Sequence, residues 1–231
     1  MIASLKVLSL LLSYPSPELK AGVGELRDAM AREGVLSPAA RAALEPLLQE
    51  IESEDILELQ GAYVDLFDRT RSLSLHLFEH VHGESRERGQ AMIDLRGTYA
   101  EQGLLMVSDE LPDYLPAFFE FASMLPLKEA RQAVGEPVHV LEALHERLRE
   151  RETPYAAILR AAIEFSGARA DRDMLDELRA KPDPRADDFE AVDQDWEEVP
   201  VRFGPEQPAA TGLMTKLRAW ARPANGVDSK R

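Results

Sequence analysis

From Ile2 to about Ala180, apolar residues recur at the spacing of amphipathic helices, and no two alternating runs are joined by Asn-Gly or Asp-Gly as a hairpin would need. Leu5, Leu8 and Leu12 form one such stripe; Ile56, Leu59, Tyr63 and Phe67 form another. Leu115, Phe118, Phe119, Ala122 and Leu125 make a third, and Tyr155, Ile158, Leu159 and Ala162 a fourth. Each stripe needs a partner, so the pattern predicts an all-α, compact multi-helix bundle. Breaks are expected at Tyr14-Pro15-Ser16-Pro17, Gly34 to Pro38, Ser108 to Pro112, Gly135 to Pro137 and Thr153-Pro154, where Ser, Thr or Pro can start a helix and Gly can stop one.

Near Lys181 the pattern changes. Residues 1–180 read as one helical domain, 181–212 as an acidic, Pro- and Gly-containing extended tail, and 213–231 as a short basic amphipathic segment or a disordered terminus. The last segment carries Leu213, Leu217 and Trp220 beside Lys216, Arg218 and Arg222. A solvated charge run is the simpler reading of the tail, yet both tryptophans, Trp196 and Trp220, lie in it, and an indole in such a segment often has a docking site.

Composition narrows the possible functions. With 42 acidic against 27 basic residues the formal charge is −15, which repels phosphate backbones and favours cationic peptides over nucleic acid. There is no cysteine, so thiolate catalysis and cysteine ligation of zinc or iron–sulfur clusters by this chain are excluded. No apolar run approaches the roughly 18 residues that span a bilayer, so a cytoplasmic protein without stable membrane insertion is expected. The residues from Met1 to Tyr14 read as a core helix and not as a signal peptide.

Candidate chemistry is concentrated in His76-Leu77-Phe78-Glu79-His80-Val81-His82-Gly83-Glu84, which holds three of the five histidines. On a helix, His76 and His80 would lie one turn apart beside Glu79, the His-x-x-Glu-His pattern of a zinc hydrolase. The competing reading is a polar network at a helix end, with Leu77, Phe78 and Val81 packed inward, and it predicts no metal ligands and no catalytic residues. Nucleophile elbows, phosphate loops and dinucleotide fingerprints are missing from the sequence.

The run from Tyr63 through Asp65, Phe67, Asp68 and Arg71 to Met92, which includes His76 to Gln90, is very similar to the signature of the nitrate reductase delta subunit family, the NarJ-type molybdenum cofactor assembly chaperones. Leu11 to Pro15, Asp109 to Pro116 and Asp195 to Gly204 resemble the same family, so the likeness extends to Gly204 and leaves 213–231 unassigned. It implies the helical bundle of redox enzyme maturation chaperones. The wider group bears Glu-x-Pro-Asp-His; here the stretch reads Glu110-Leu111-Pro112-Asp113-Tyr114, so roles given to that histidine do not transfer to Tyr114.

The resemblance further implies a non-catalytic protein that binds the N-terminal segment of the nitrate reductase alpha subunit. It would allow insertion of the molybdenum cofactor and an iron–sulfur cluster while holding no permanent cofactor itself. Molybdenum cofactor delivery proteins are further expected partners, and a retained structural subunit is the alternative. The expected groove is lined by Tyr63, Phe67, Leu77 and Phe78, with Asp65, Asp68, Glu79 and Glu84 at its rim. His76, His80, His82, Arg86, Arg88, Glu110, Pro112, Asp113 and Tyr114 complete the candidate partner-binding set.

Overall fold

The structure, a computed structural model, describes residues 1–82, 86–106 and 110–184. Twelve α-helices run through these residues: α1 (Ala3–Leu12), α2 (Pro17–Ala21), α3 (Val23–Glu33), α4 (Pro38–Ser53), α5 (Ile56–Phe67), α6 (Leu77–His82), α7 (Arg86–Glu101), α8 (Leu115–Met124), α9 (Leu127–Gly135), α10 (Val138–Glu150), α11 (Ala156–Ser166) and α12 (Arg172–Arg179). A 3-10 turn, Arg71–Leu73, links α5 to α6. Among the described residues the only strand-like pairing is one antiparallel bridge, His76 to Tyr114. The all-α expectation therefore holds.

Local chemistry explains the boundaries. Ser16 and Ser37 accept the Leu19 and Ala40 backbone N–H groups at 3.2 and 3.0 Å, and each precedes a proline that opens the helix. Gly34 closes α3 at φ 67°, in the left-handed region where a side chain would be strained.

Helix α1 is the central strut, packed against α8, α3 and α11. Leu5, Leu8, Leu11 and Leu12 are fully buried, each contributing roughly 1.5–3 kcal/mol of apolar burial. Several of its polar groups are paired across the core, although the buried Ser4 hydroxyl is not. The Glu33 carboxylate accepts the Ala3 and Ser4 N–H groups at 2.7 Å each, and Ser9 Oγ donates to the Pro116 carbonyl oxygen at 2.8 Å. On another side of the bundle α10 packs between α11 and α12.

The first residues of the expected tail belong to these contacts. Lys181 Nζ donates to the His80 carbonyl oxygen at 2.6 Å, Ser72 Oγ donates to Asp183 Oδ1 at 2.6 Å, and Pro184 is buried. Trp196, Trp220 and the segment 213–231 lie outside the described residues.

Candidate functional site

The inner stripe of α5, Leu59, Tyr63 and Phe67, turns the helix so that two aromatic rings enter the bundle. Tyr63 packs against Phe67 with ring centroids 4.9 Å apart, and Tyr155 at the start of α11 meets Phe67 edge-on at 5.2 Å. Tyr14, half exposed, stands edge-on to Tyr63 at 5.5 Å. Such edge-to-face pairs add roughly 0.5–1.5 kcal/mol each beyond burial.

Hydroxyl groups extend this cluster to the loop before α8. Tyr63 Oη donates to the Leu12 carbonyl oxygen at 3.0 Å, so the 2.9 Å bond to Tyr114 is donated by Tyr114. Burial, foremost, with Tyr114 adding to it, holds the Tyr63 phenol far above its usual range, so it stays a neutral donor. The Tyr114 ring also faces His76, with centroids 5.4 Å apart.

The loop itself is fixed from three sides. Tyr99 on α7 donates to the Pro112 carbonyl oxygen at 2.7 Å. Leu77 N–H donates to the Asp113 carbonyl oxygen at 3.0 Å, and Leu115 N–H to that of Leu75 at 2.8 Å. The Asp113 side chain, wholly buried, accepts the Phe78 N–H at 3.0 Å and faces His76 Nδ1 at 3.3 Å. A carboxylate from a distant loop thus caps the first turn of α6.

Two expectations need correction. Tyr63, Phe67, Leu77 and Phe78 do not line an open cleft; they are only 2–4% exposed and belong to the core, where they set the positions of Tyr14, Tyr114 and His76 at the surface. Nor does α6 carry His76, which precedes its first residue and sits in the bridge to Tyr114. His76 is engaged by Asp113, while buried His80 donates from Nε2 to the Ser74 carbonyl oxygen at 2.7 Å, so the two imidazoles serve different partners. Among the described residues, no group of three or more histidine and carboxylate side chains is arranged to hold a metal.

The rim candidates also separate. Asp65 pairs with Arg69 at 2.7 Å and Glu79 with Arg88 at 3.4 Å, whereas Asp68 and Glu110 are exposed near the Tyr114–His76 pair. Burial raises the Asp68 carboxyl, with His76 pulling it partly back. Glu84 lies outside the described residues, as do the side chains of His82 and Arg86. The sequence reading missed Tyr14, Tyr99 and Tyr155 as supports; phenols beside Pro15 and in apolar stripes were the available signal.

The two histidines respond oppositely to acid. Burial, outweighing the bond to Ser74, lowers His80 to about 4, with the charges of Arg147 and Lys181 assisting. Its contribution is complete above the unfolded value near 6.5 and is lost as pH falls toward 4, amounting to about 2 kcal/mol at pH 5. Burial opposes charging of His76 too, but Asp113, with Glu79 and Glu110 adding to it, makes the net shift upward, so its contribution is present in acid and fades as pH rises. Denaturant unfolding at pH 7 and pH 5 should show the His80 loss, and His80→Gln, which keeps a donor for Ser74, should flatten it. An unchanged pH slope in that variant would remove His80 as the cause.

Fold and site together define a class: an all-helical protein of the redox enzyme maturation kind. A crystal structure described as a candidate redox enzyme maturation protein from Archaeoglobus fulgidus superposes with a TM-score of 0.50 and 25% identity, covering 71% of this chain and 93% of that one. More particularly, the chain belongs to the nitrate reductase delta subunit family, whose model matches residues 33–161. It is 39% identical over 199 residues, 86% of this chain and 84% of the relative, to the nitrate reductase molybdenum cofactor assembly chaperone NarJ of Escherichia coli K12. NarW of the same strain, provisionally described as a chaperone of that type, is 36% identical over 201 residues, 86% of this chain and 83% of NarW.

Proposed function

We propose that this protein is a cytoplasmic assembly chaperone that binds the N-terminal segment of a nitrate reductase alpha subunit. While bound, it keeps that subunit open to insertion of the molybdenum cofactor and an iron–sulfur cluster before membrane attachment. It acts by binding and not by turnover, and it keeps no cofactor of its own. Molybdenum cofactor delivery proteins are its further partners.

The observation that carries this reading is the surface at Tyr14, Tyr114 and His76, aromatic and bordered by Asp68 and Glu110. An amphipathic peptide can lay an apolar side chain against the rings while the carboxylates attract its cations. No helix among the described residues is long and apolar enough to cross a membrane. Family membership supplies the client class, since the relatives' names concern nitrate reductase assembly.

Calorimetry with a peptide copying the alpha subunit's N-terminus tests the reading directly. Binding is expected, with loss when the peptide's apolar positions are scrambled. Asp68→Lys together with Glu110→Lys should slow association about tenfold at low salt and flatten its salt dependence. A folded double variant with unchanged association kinetics would move the binding face elsewhere.

A further inference from the structure

Between Glu50 and Asp68 the chain has seven carboxylates and no lysine, arginine or histidine. The outward positions of α5, Leu57, Glu58, Gly61, Ala62 and Asp65, and its C-cap Asp68 are all exposed, Leu57 to 73%. Asp65 pairs with Arg69 and Glu52 with Arg27, which leaves Glu58 and Asp68 as the carboxylates of this face without an ion pair among the described residues. Glycine inside a helix is worse than alanine by about 1 kcal/mol. At Gly61 an added Cβ would meet no atom within 4 Å, so the described packing gives no reason for a glycine there. What its absence does provide is room for a second backbone to approach the helix closely.

The chain supplies a segment of matching chemistry. Residues 213–231 carry five cations and one carboxylate, with Leu213, Leu217 and Trp220 at helical spacing. Their tether starts at a fixed point. Arg151 Nη2 donates to Asp183 Oδ1 at 2.5 Å and to the Pro184 carbonyl oxygen at 2.9 Å, and Ser72 bonds the same Asp183. Ser72 lies in the 3-10 turn that packs against α5, so Asp183, near the end of the described chain, is held at that turn.

Residues 185–212 hold eight carboxylates against two arginines, so they match the α5 face in sign and offer it no complementary charge. At up to roughly 3.4 Å per residue they are long enough to carry the basic segment to any point along α5. We propose that the basic segment 213–231 docks on the acidic outer face of α5 in its own chain and competes with the client peptide at Asp68, which borders both surfaces. The competition rests on the client-binding reading; the docking itself does not.

The strength required is modest. A tether can hold the segment at an effective concentration on the order of a millimolar, so an intrinsic Kd of ~0.1 mM would keep the face about 90% covered. An incoming cationic peptide would then bind about tenfold more weakly than to an open face.

The full chain with Trp196→Phe leaves Trp220 as its single tryptophan reporter. Its emission should be blue-shifted at low salt, independent of protein concentration, and should move to the solvent value in high salt or with Glu58→Lys plus Asp65→Lys. Solvent-like emission at low salt would overturn the docking, and a concentration-dependent signal would assign the segment to a second copy and overturn the intramolecular form. A labelled peptide copying 211–226 should bind the Lys216→Glu, Arg218→Glu, Arg222→Glu chain about tenfold more tightly than the unaltered chain. Equal binding would count against the proposal even if the α5 variants failed to fold. If the alpha-subunit peptide binds neither chain while the Trp220 signal behaves as expected, the chaperone reading fails and the docking stands.

Discussion

Replacing Asp113 by alanine is expected to destabilise the protein by about 3 kcal/mol, because the Phe78 N–H and the His76 ring both lose a buried, charged acceptor. The cost arises from the groups left unpaired. The Asp113 side chain has no exposed surface, so water cannot readily replace the missing oxygens. Asp113→Asn keeps an acceptor for Phe78 and should cost about 1 kcal/mol. Denaturant unfolding of both variants checks this, and an alanine variant within 0.5 kcal/mol of the parent, about the spread of an inert surface change, would show that α6 does not depend on its distant cap. Since the same loop carries Tyr114, the alanine variant should also lose affinity for the client peptide, and the asparagine variant should largely retain it.

A second large effect is expected at Arg147, which is 7% exposed and ties three parts of the chain together. Nη1 donates to the Ser72 carbonyl oxygen at 2.7 Å and Nη2 to that of Leu178 at 2.8 Å. Arg147→Met preserves much of the volume but leaves those carbonyls without a charged donor, which should cost about 3 kcal/mol. The loss should concentrate at α12 and the Lys181–Pro184 strap, read as faster amide exchange there than in α1. Arg147 also adds its charge to the forces lowering His80, so an NMR titration of the variant should find the His80 imidazole easier to protonate. Uniformly faster exchange, or an unmoved His80 titration, would contradict this account.

These two residues mark where the sequence stops being informative. Leu8, Phe118 and Ile158 announce their burial by helical spacing alone, and the structure places each in the core. Ser16-Pro17, Gly34 and Ser37-Pro38 likewise set their boundaries through φ preferences and capping bonds that operate within a few residues. The resemblance of the segment from Tyr63 to Met92 to the family signature was also plain in the letters, and the family match bears it out. Tyr63, Phe67, Leu77 and Phe78 were expected to line a groove, but an apolar side chain in a signature segment reads the same whether it lines a groove or fills a core.

What the sequence by itself determined was helical content, several of the helix ends, an acidic composition and the family. Only the tertiary structure decided that Asp113 would cap a helix beginning 36 residues earlier, that His80 would be buried neutral, and that Arg147 would reach Ser72 across 75 positions. The physical reason is range. Periodicity and capping act over one or two helical turns, whereas the burial that makes a charge or hydrogen bond matter depends on which helices come to lie against one another.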